Sequence, residues 1–353
     1  MSRKAESAGP ASDTGYLRWR LTGNPFSLLS SESIEDVVSV HVPTSVDREF
    51  TKAVEEGIRR GRVVILSGEF GSGKTERLRY LAFVLTEVNR FYVKVDSDHA
   101  EDVIRKILVT IGGALAVRGV RRPEQAGRRA VQILEKRKPA ILMLDEIENV
   151  VIAGTPADSD AFGKFLLTIA RGLSPGIGLV LACTPAALDR IKPVIKAGVL
   201  VRTRPLSLRE AIEMLSKRMA SFRPEGVSVP WPSYPLTEEL IQEMNKRAGG
   251  NPRRLLKLAR LIISKLSFME VTPDYASRLM EFLRGPVPVV SAGGVQRRVI
   301  DLLRERGKAS LLELSRGLEM SLSDTLRLVG ELVEKGVIER CEDGRYRIKT
   351  AGG

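Results

Sequence analysis

Cysteine is almost missing from this chain of 353 residues. Cys183 and Cys341 are the only two, too few to staple a chain this long or to build a Cys-rich zinc centre. Histidine is as scarce, with His41 and His99 alone, so a histidine-ligated metal site is not expected. No run approaches the roughly 18 apolar residues that a membrane-crossing helix needs, so no membrane segment is expected. The opening MSRKAESAGPASDTG has no apolar stretch behind its basic residues. No secretory leader is expected, and the location that follows is cytoplasmic. Acidic charge is the other shortage. Fifty-six Lys and Arg stand against 43 Asp and Glu, a net +13. That balance favours a polyanionic partner: nucleic acid, an anionic membrane surface or an acidic protein.

The apolar residues that are present alternate between two patterns. Phe50, Val54 and Ile58 are spaced by four and predict a helix over 45–60. Short unbroken apolar runs at 63–66, 91–95, 140–144 and 178–182, with a shorter one at 199–201, predict buried strands. Helical spacing between them predicts helices over 99–117, 123–137 and 158–172. Continuous apolar strands alternating with helices imply an α/β fold, a parallel sheet covered on both faces. From Leu206 the pattern becomes purely helical, over 208–222, 237–248, 251–267 and 273–284. The organisation expected is a mobile tail (1–22), an αβα core (23–205), an all-α lid (206–285), a Gly- and Pro-rich linker (286–294) and a small C-terminal unit (295–353).

Between the strand at 63–66 and the next helix lies Gly68-Glu69-Phe70-Gly71-Ser72-Gly73-Lys74-Thr75. It fits the phosphate-loop pattern G-x-x-x-x-G-K-[ST] in the context that pattern requires. Glycines let consecutive N–H groups curl around phosphate oxygens, and the helix N-terminus adds partial positive charge. Lys74 is expected to reach the β- and γ-phosphates and Thr75 to bind Mg²⁺. A second anchor is the apolar run 141–144 ending in Asp145-Glu146. Asp145 is the candidate for the ion's shell. Glu146 is the candidate for orienting an attacking water, which favours ATP hydrolysis over a switch without turnover. The strand at 178–182 runs into Cys183-Thr184. If it lies between the two motif strands, Thr184 projects towards the γ-phosphate. Cys183 reads as a small core residue.

The last sixty residues read as three helices and a hairpin. The third helix places Leu326, Val329, Leu332 and Val333 on one apolar face. Two alternating strands meet across Asp343-Gly344, a hairpin signal. This is the pattern of a winged helix-turn-helix, whose third helix enters the major groove while the hairpin reaches the backbone or minor groove. Ser323, Thr325 and Arg327 are the expected exposed positions of the third helix. Arg340, Arg345, Arg347 and Lys349 are the expected phosphate contacts of the wing. From residue 295 on there are twelve Lys and Arg against ten Asp and Glu, so the placement of charge on the wing, not its total, points to DNA. A winged helix serving protein contacts is the alternative.

Together these motifs resemble those of the AAA+ ATPases, and within them the origin-recognition and Cdc6-like initiator branch and the ExeA/TniB-type ATPases. Residues 68–75 stand as the Walker A motif and 142–146 as Walker B, with Thr184 at the sensor 1 position, where many members carry Asn. Val42-Pro43 followed by Asp47-Arg48-Glu49 resembles the segment that lines the adenine pocket. Residues 204–207 resemble the joint that opens the lid. Gly250-Asn251-Pro252-Arg253-Arg254-Leu255 resembles the sensor 2 segment. The resemblance implies ATP and Mg²⁺ as cofactors and Arg253 on the nucleotide. It also implies an oligomer in which a neighbour's arginine completes the site, with Arg190 and Arg202 as candidates and Arg204 behind them. Duplex DNA and replication proteins are the implied partners. Replication initiation leads, followed by a transposition or plasmid-maintenance ATPase. A STAND-type signalling switch without DNA binding is the alternative from another class.

Overall fold

Each apolar run becomes a strand: β1 (Val63–Ser67), β2 (Asn89–Lys94), β3 (Ala140–Asp145), β4 (Ile177–Cys183) and β5 (Gly198–Arg202). All pair in parallel in the order β2-β3-β4-β1-β5. β1, β3 and β4 are buried at every residue, which is why they read as continuous apolar runs, since helices cover both sheet faces. One face packs Phe50, Val54, Leu78 and Leu81 of helices Ser45–Arg60 and Lys74–Val84 onto Val64, Leu66, Met143 and Val180. The other packs Val103, Ile107, Phe162 and Phe165 of helices Ala100–Gly112 and Pro156–Gly172 onto Ile65, Leu142, Leu144 and Leu181.

The computed structural model describes residues 14–26, 40–191, 196, 198–284, 292–320, 322–334, 336–341 and 343–349, the side chains of Thr14, Ala292 and Ser323 excepted. Packing divides the chain into two units. One comprises Ser45–Phe70, Lys74–Thr203 and Pro288–Gly353. The other comprises Met1–Thr44, Gly71–Gly73 and Arg204–Val287. No helix among the described residues is long and apolar enough to cross a membrane.

The C-terminal residues of the first unit fold as helices Ala292–Arg306, Leu311–Leu318 and Leu322–Glu334 with an antiparallel sheet, β6 (Lys308–Ala309), β7 (Ile338–Arg340) and β8 (Tyr346–Ile348), ordered β6-β8-β7. Gly344, at φ +79°, turns the hairpin. The first of these helices starts at Ala292, inside the stretch expected to be a linker. The C-terminal segment also packs with the sheet domain rather than standing apart. Ala153 rests on its apolar core, and Arg316 Nη2 donates to the Asp96 carbonyl at 3.0 Å.

The second unit is the helical one, with helices Leu208–Ala220, Glu238–Ala248, Pro252–Leu266 and Tyr275–Arg284. Here the expected mobile tail needs correction. Residues 1–13 lie outside the described set, but a short helix, Thr14–Leu17, leads into Trp19, Leu21 and Phe26, all buried in this core. Trp19 Nε1 donates to the Leu266 carbonyl at 2.8 Å and its ring lies 4.7 Å from that of Tyr275. Burying such a ring contributes about 1.5–3 kcal/mol. These residues act as single plugs, and plugs leave no periodic trace in a sequence. The core expected to start at residue 23 therefore starts at about residue 45, and 15–26 belong with the helical unit.

Candidate functional site

Parallel pairing brings the carboxyl ends of neighbouring strands to one edge, where ligands of open α/β sheets bind. β4 lies between β1 and β3, the condition under which Thr184 was expected to project towards the γ-phosphate. The loop 68–75 leaves β1 with Gly71 at φ +79° and Gly73 at φ +87°, conformations that favour glycine. Lys74 opens helix Lys74–Val84 and is buried. Its Nζ donates to the Gly68 carbonyl at 2.7 Å and the Glu69 carbonyl at 3.2 Å.

Asp145, the last residue of β3, is fully buried. Tyr92 Oη donates to its Oδ2 at 2.9 Å, and the Thr75 side chain is also hydrogen-bonded to it. Burial, with Glu146 beside it, pushes its carboxyl above the usual carboxylate range. A cation placed against Thr75 and Asp145 offsets that cost. Burial first, then the Asp145 charge, likewise raises the Tyr92 phenol. Glu146 sits at φ +57°, a left-handed backbone unusual for a residue with a side chain. Its Oε1 is 3.3 Å from Lys94 Nζ, and its Oε2 accepts from Asn149 Nδ2 at 3.3 Å. Asn149 Nδ2 is also 2.6 Å from the Val95 carbonyl. The carboxylate is therefore tied to the end of β2 from two sides.

Thr184 follows β4 and is 5 % exposed. Its Oγ1 is buried with no hydrogen-bond partner among the described residues. An orphaned buried hydroxyl is costly, and at this edge it suits an oxygen-rich ligand. Its backbone N–H donates to Glu148 Oε2 at 3.3 Å. Burial pushes Glu148 up to about 7, against the pull of Lys74. Cys183 is buried, and burial raises its thiol to about 12, as suits an inert core residue.

Sequence reasoning missed Lys94, Tyr92, Asn149 and Glu148. A signal for the first existed. Lys94 is the register partner of Asp145 across β2 and β3, so the last residue of a strand adjoining Walker B was the place to look.

Residues 68–70, with Lys74, Thr75, Asp145, Glu146 and Thr184, thus gather at one sheet edge. Phe70 and Ser72 hold their places in the loop, and Ser72 is buried. Arg253 is half-buried in the first turn of helix Pro252–Leu266, which Asn251 caps by accepting the Arg254 N–H at 3.2 Å. Within the helical unit, the Gly71 carbonyl accepts the Arg253 N–H at 3.2 Å. A Cβ on Gly71 would meet the Arg253 Cβ at 2.7 Å. Val42 is half-buried and Pro43 exposed. Arg190, Arg202 and Arg204 are all exposed.

The winged helix brings corrections. Thr325 is fully buried, not exposed. The packed stripe of the third helix is Leu322, Thr325, Val329 and Leu332, whereas Leu326 and Val333 are exposed. The expected stripe had followed the apolar residues, two of which lie off the i, i+3, i+7 face that packs. Ser323 lies in this helix with its side chain outside the described residues. Arg327 is exposed but 3.6 Å from Asp324, and the exposed Glu331 and Glu334 make the rest of that surface acidic. On the wing, Arg347 Nε bonds Glu339 Oε1 at 2.6 Å. Arg340, Arg345 and Lys349 are exposed, with the Arg340 guanidinium 6.0 Å from the centre of the Tyr346 ring.

A phosphate loop, a paired acidic anchor and a buried sensor-like hydroxyl on a five-stranded parallel sheet define a P-loop nucleotide-binding protein. Within that class, residues 58–191 match the family model of an AAA domain, and residues 294–339 match that of a winged helix-turn-helix DNA-binding domain. The chain thus carries an AAA domain of P-loop fold followed by a winged helix-turn-helix domain. Among solved structures it is similar to the Orc1 protein of Aeropyrum pernix, solved in complex with DNA. The identity is 19%, the TM-score 0.50, and the match covers 88% of this chain and 91% of that one. At that identity the likeness establishes the shared fold. The chain is also similar to Cdc6p of Pyrobaculum aerophilum, at 17% identity and TM-score 0.48, covering 88% of this chain and 92% of that one. The RuvB Holliday junction branch migration motor of Thermotoga maritima matches at 20% identity and TM-score 0.44, covering 91% and 95%. No curated protein matches the chain.

Proposed function

We propose that this protein hydrolyses ATP and binds duplex DNA through its wing, in the initiation of replication. One observation carries the nucleotide reading. Lys74, Thr75, Asp145, Glu146 and the orphaned Thr184 hydroxyl meet at the carboxyl edge of β1, β3 and β4. The residues fit the cofactors. Amides of 68–75 and Lys74 hold the phosphates, and Thr75 and Asp145 hold Mg²⁺, which neutralises phosphate charge when bound. Glu146 orients water, and Arg253 contacts the nucleotide. Val42 and Pro43 line the adenine pocket. A neighbouring copy supplies the arginine finger.

The DNA reading rests on the winged helix and the net charge of +13. Because the exposed surface of the third helix is acidic, the wing carries the phosphate contacts. Replacing Arg340, Arg345 and Lys349 by Ala is expected to weaken duplex binding and to reduce the salt slope by about 0.9 for each phosphate left without its cation. Fluorescence anisotropy between low and moderate salt measures both. Undetectable wild-type binding at about 100 mM salt, the range where non-specific DNA affinity is still measurable, overturns this reading. Replication initiation draws support from the sequence resemblance and from the fold shared with the Orc1 protein solved on DNA. Recovery of one recurrent chromosomal site with the ATP-bound Glu146→Gln protein is its expected signature, and scattered recovery argues for a general DNA ATPase.

A second reading, a nucleotide switch in which the winged helix braces the ATPase domain, is favoured by one observation. Arg316 binds the Asp96 carbonyl, and Ala153 rests on the winged-helix core. In that case the three wing substitutions leave every nucleic-acid measurement unchanged.

A further inference from the structure

Glu148 has no part in the scheme above, yet it is buried at the centre of the site. It opens the short helix Glu148–Val151, two residues beyond Glu146. Lys74, Asp145 and Glu146 all act on its charge, and it acts in turn on Cys183. Its Oε2 accepts the Thr184 N–H at 3.3 Å. That bond joins the segment after β3 to the residue that follows β4. Thr184 is the N-cap residue of the four-residue helix Pro185–Leu188, but its side chain makes no capping bond. The hydroxyl is left buried and without a described partner. A hydroxyl oriented by its backbone and withheld from its own helix is poised for a ligand.

We propose that Glu148 is a positioning residue for ATP hydrolysis: by accepting the Thr184 N–H it fixes the main chain that aims the Thr184 hydroxyl at the terminal phosphate. The inference rests on the hydrolytic reading and on Thr184 as the phosphate-sensing side chain. It assigns Glu148 no contact with the nucleotide. The acceptor matters more than the negative charge, so glutamine, whose amide oxygen also accepts an N–H, substitutes for it.

The test is a double-mutant cycle on the full chain, read by phosphate release. Glu148→Ala is expected to lower kcat about tenfold, the loss of roughly one oriented hydrogen bond, with KM within about twofold of wild type. Thr184→Ala has a similar effect, and the double variant is no slower than either single one, because residues acting as one unit are non-additive. Glu148→Gln restores kcat to within about threefold of wild type. Glu148→Met keeps the volume and loses the acceptor, and it behaves as Ala does if the alanine protein melts. Multiplying effects in the double variant, or a Gln variant as slow as Ala, overturns the proposal. If the wild type itself releases no phosphate, the hydrolytic reading fails on its own. Calorimetry then reads the same cycle as the ratio of affinities for a slowly hydrolysed triphosphate analogue and for ADP. Both single variants are expected to lower that ratio equally, and an unchanged ratio in Glu148→Ala removes Glu148 from the site.

Discussion

Glu146→Gln is expected to lower phosphate release by at least about 100-fold, the lower end for removing a general base, while ATP affinity stays within a few-fold of wild type. The geometry explains the separation. Among the described residues, the hydrogen-bonding and ionic partners given for the Glu146 side chain are Lys94 and Asn149. Gln keeps the length and one acceptor oxygen, enough for Lys94 or Asn149 but not both, and Asn149 still holds the Val95 carbonyl, so the phosphate cradle is expected to stay in place. What disappears is the negative charge that polarises water. Single-turnover phosphate release measures the first effect and calorimetry with ATP the second. Equal release rates from the two proteins would remove Glu146 from the chemistry. A fall in affinity alone would instead make Glu146 part of the binding surface.

Asp47→Ala is expected to destabilise the first unit by about 3–5 kcal/mol, read as a lower midpoint in urea. Asp47 Oδ1 and Arg77 Nε lie 3.3 Å apart with side chains 3 % and 7 % exposed. Asp47 sits in the first turn of helix Ser45–Arg60. Arg77 lies one turn beyond Lys74 in helix Lys74–Val84. Removing the carboxylate takes the Asp47 charge away from a buried guanidinium, and the weaker compensation of that charge, more than the missing attraction, is expected to carry the cost. The corollary is sharp. Replacing both residues by Leu and Met restores most of the stability, because a well-packed apolar pair has no charge to desolvate. If the double replacement is as unstable as the single one, the ion pair itself is the main contributor. Because Arg77 shares a helix with Lys74, the single variant is also expected to loosen nucleotide binding.

The sheet was legible because burial on both faces writes itself as unbroken apolar runs, as in β3 and β4. The phosphate loop and the Asp145-Glu146 pair were legible because their chemistry depends on local spacing. The residues that escaped depend on distant neighbours. Lys94 acquires its role from the β2–β3 register. Glu148 meets Thr184, thirty-odd residues away, just beyond β4. Trp19 and Phe26 fill separate gaps in the helical core, and no period announces them. Thr325 was misplaced because a threonine among leucines looks like surface. Here it lies one turn from Leu322 and Val329, fully buried. Strand β6, two residues long, is too short to carry any alternation.

The backbone at Glu146 sets two demands against each other. At φ +57° a side chain crowds its own carbonyl, at a cost of about 1–2 kcal/mol that glycine escapes. The Glu146→Gly protein would therefore be the hardier one in a melting experiment and the idle one in an assay. Any screen that rewards robustness alone is expected to drift towards that dead end, whereas one that rewards turnover keeps the tension in place.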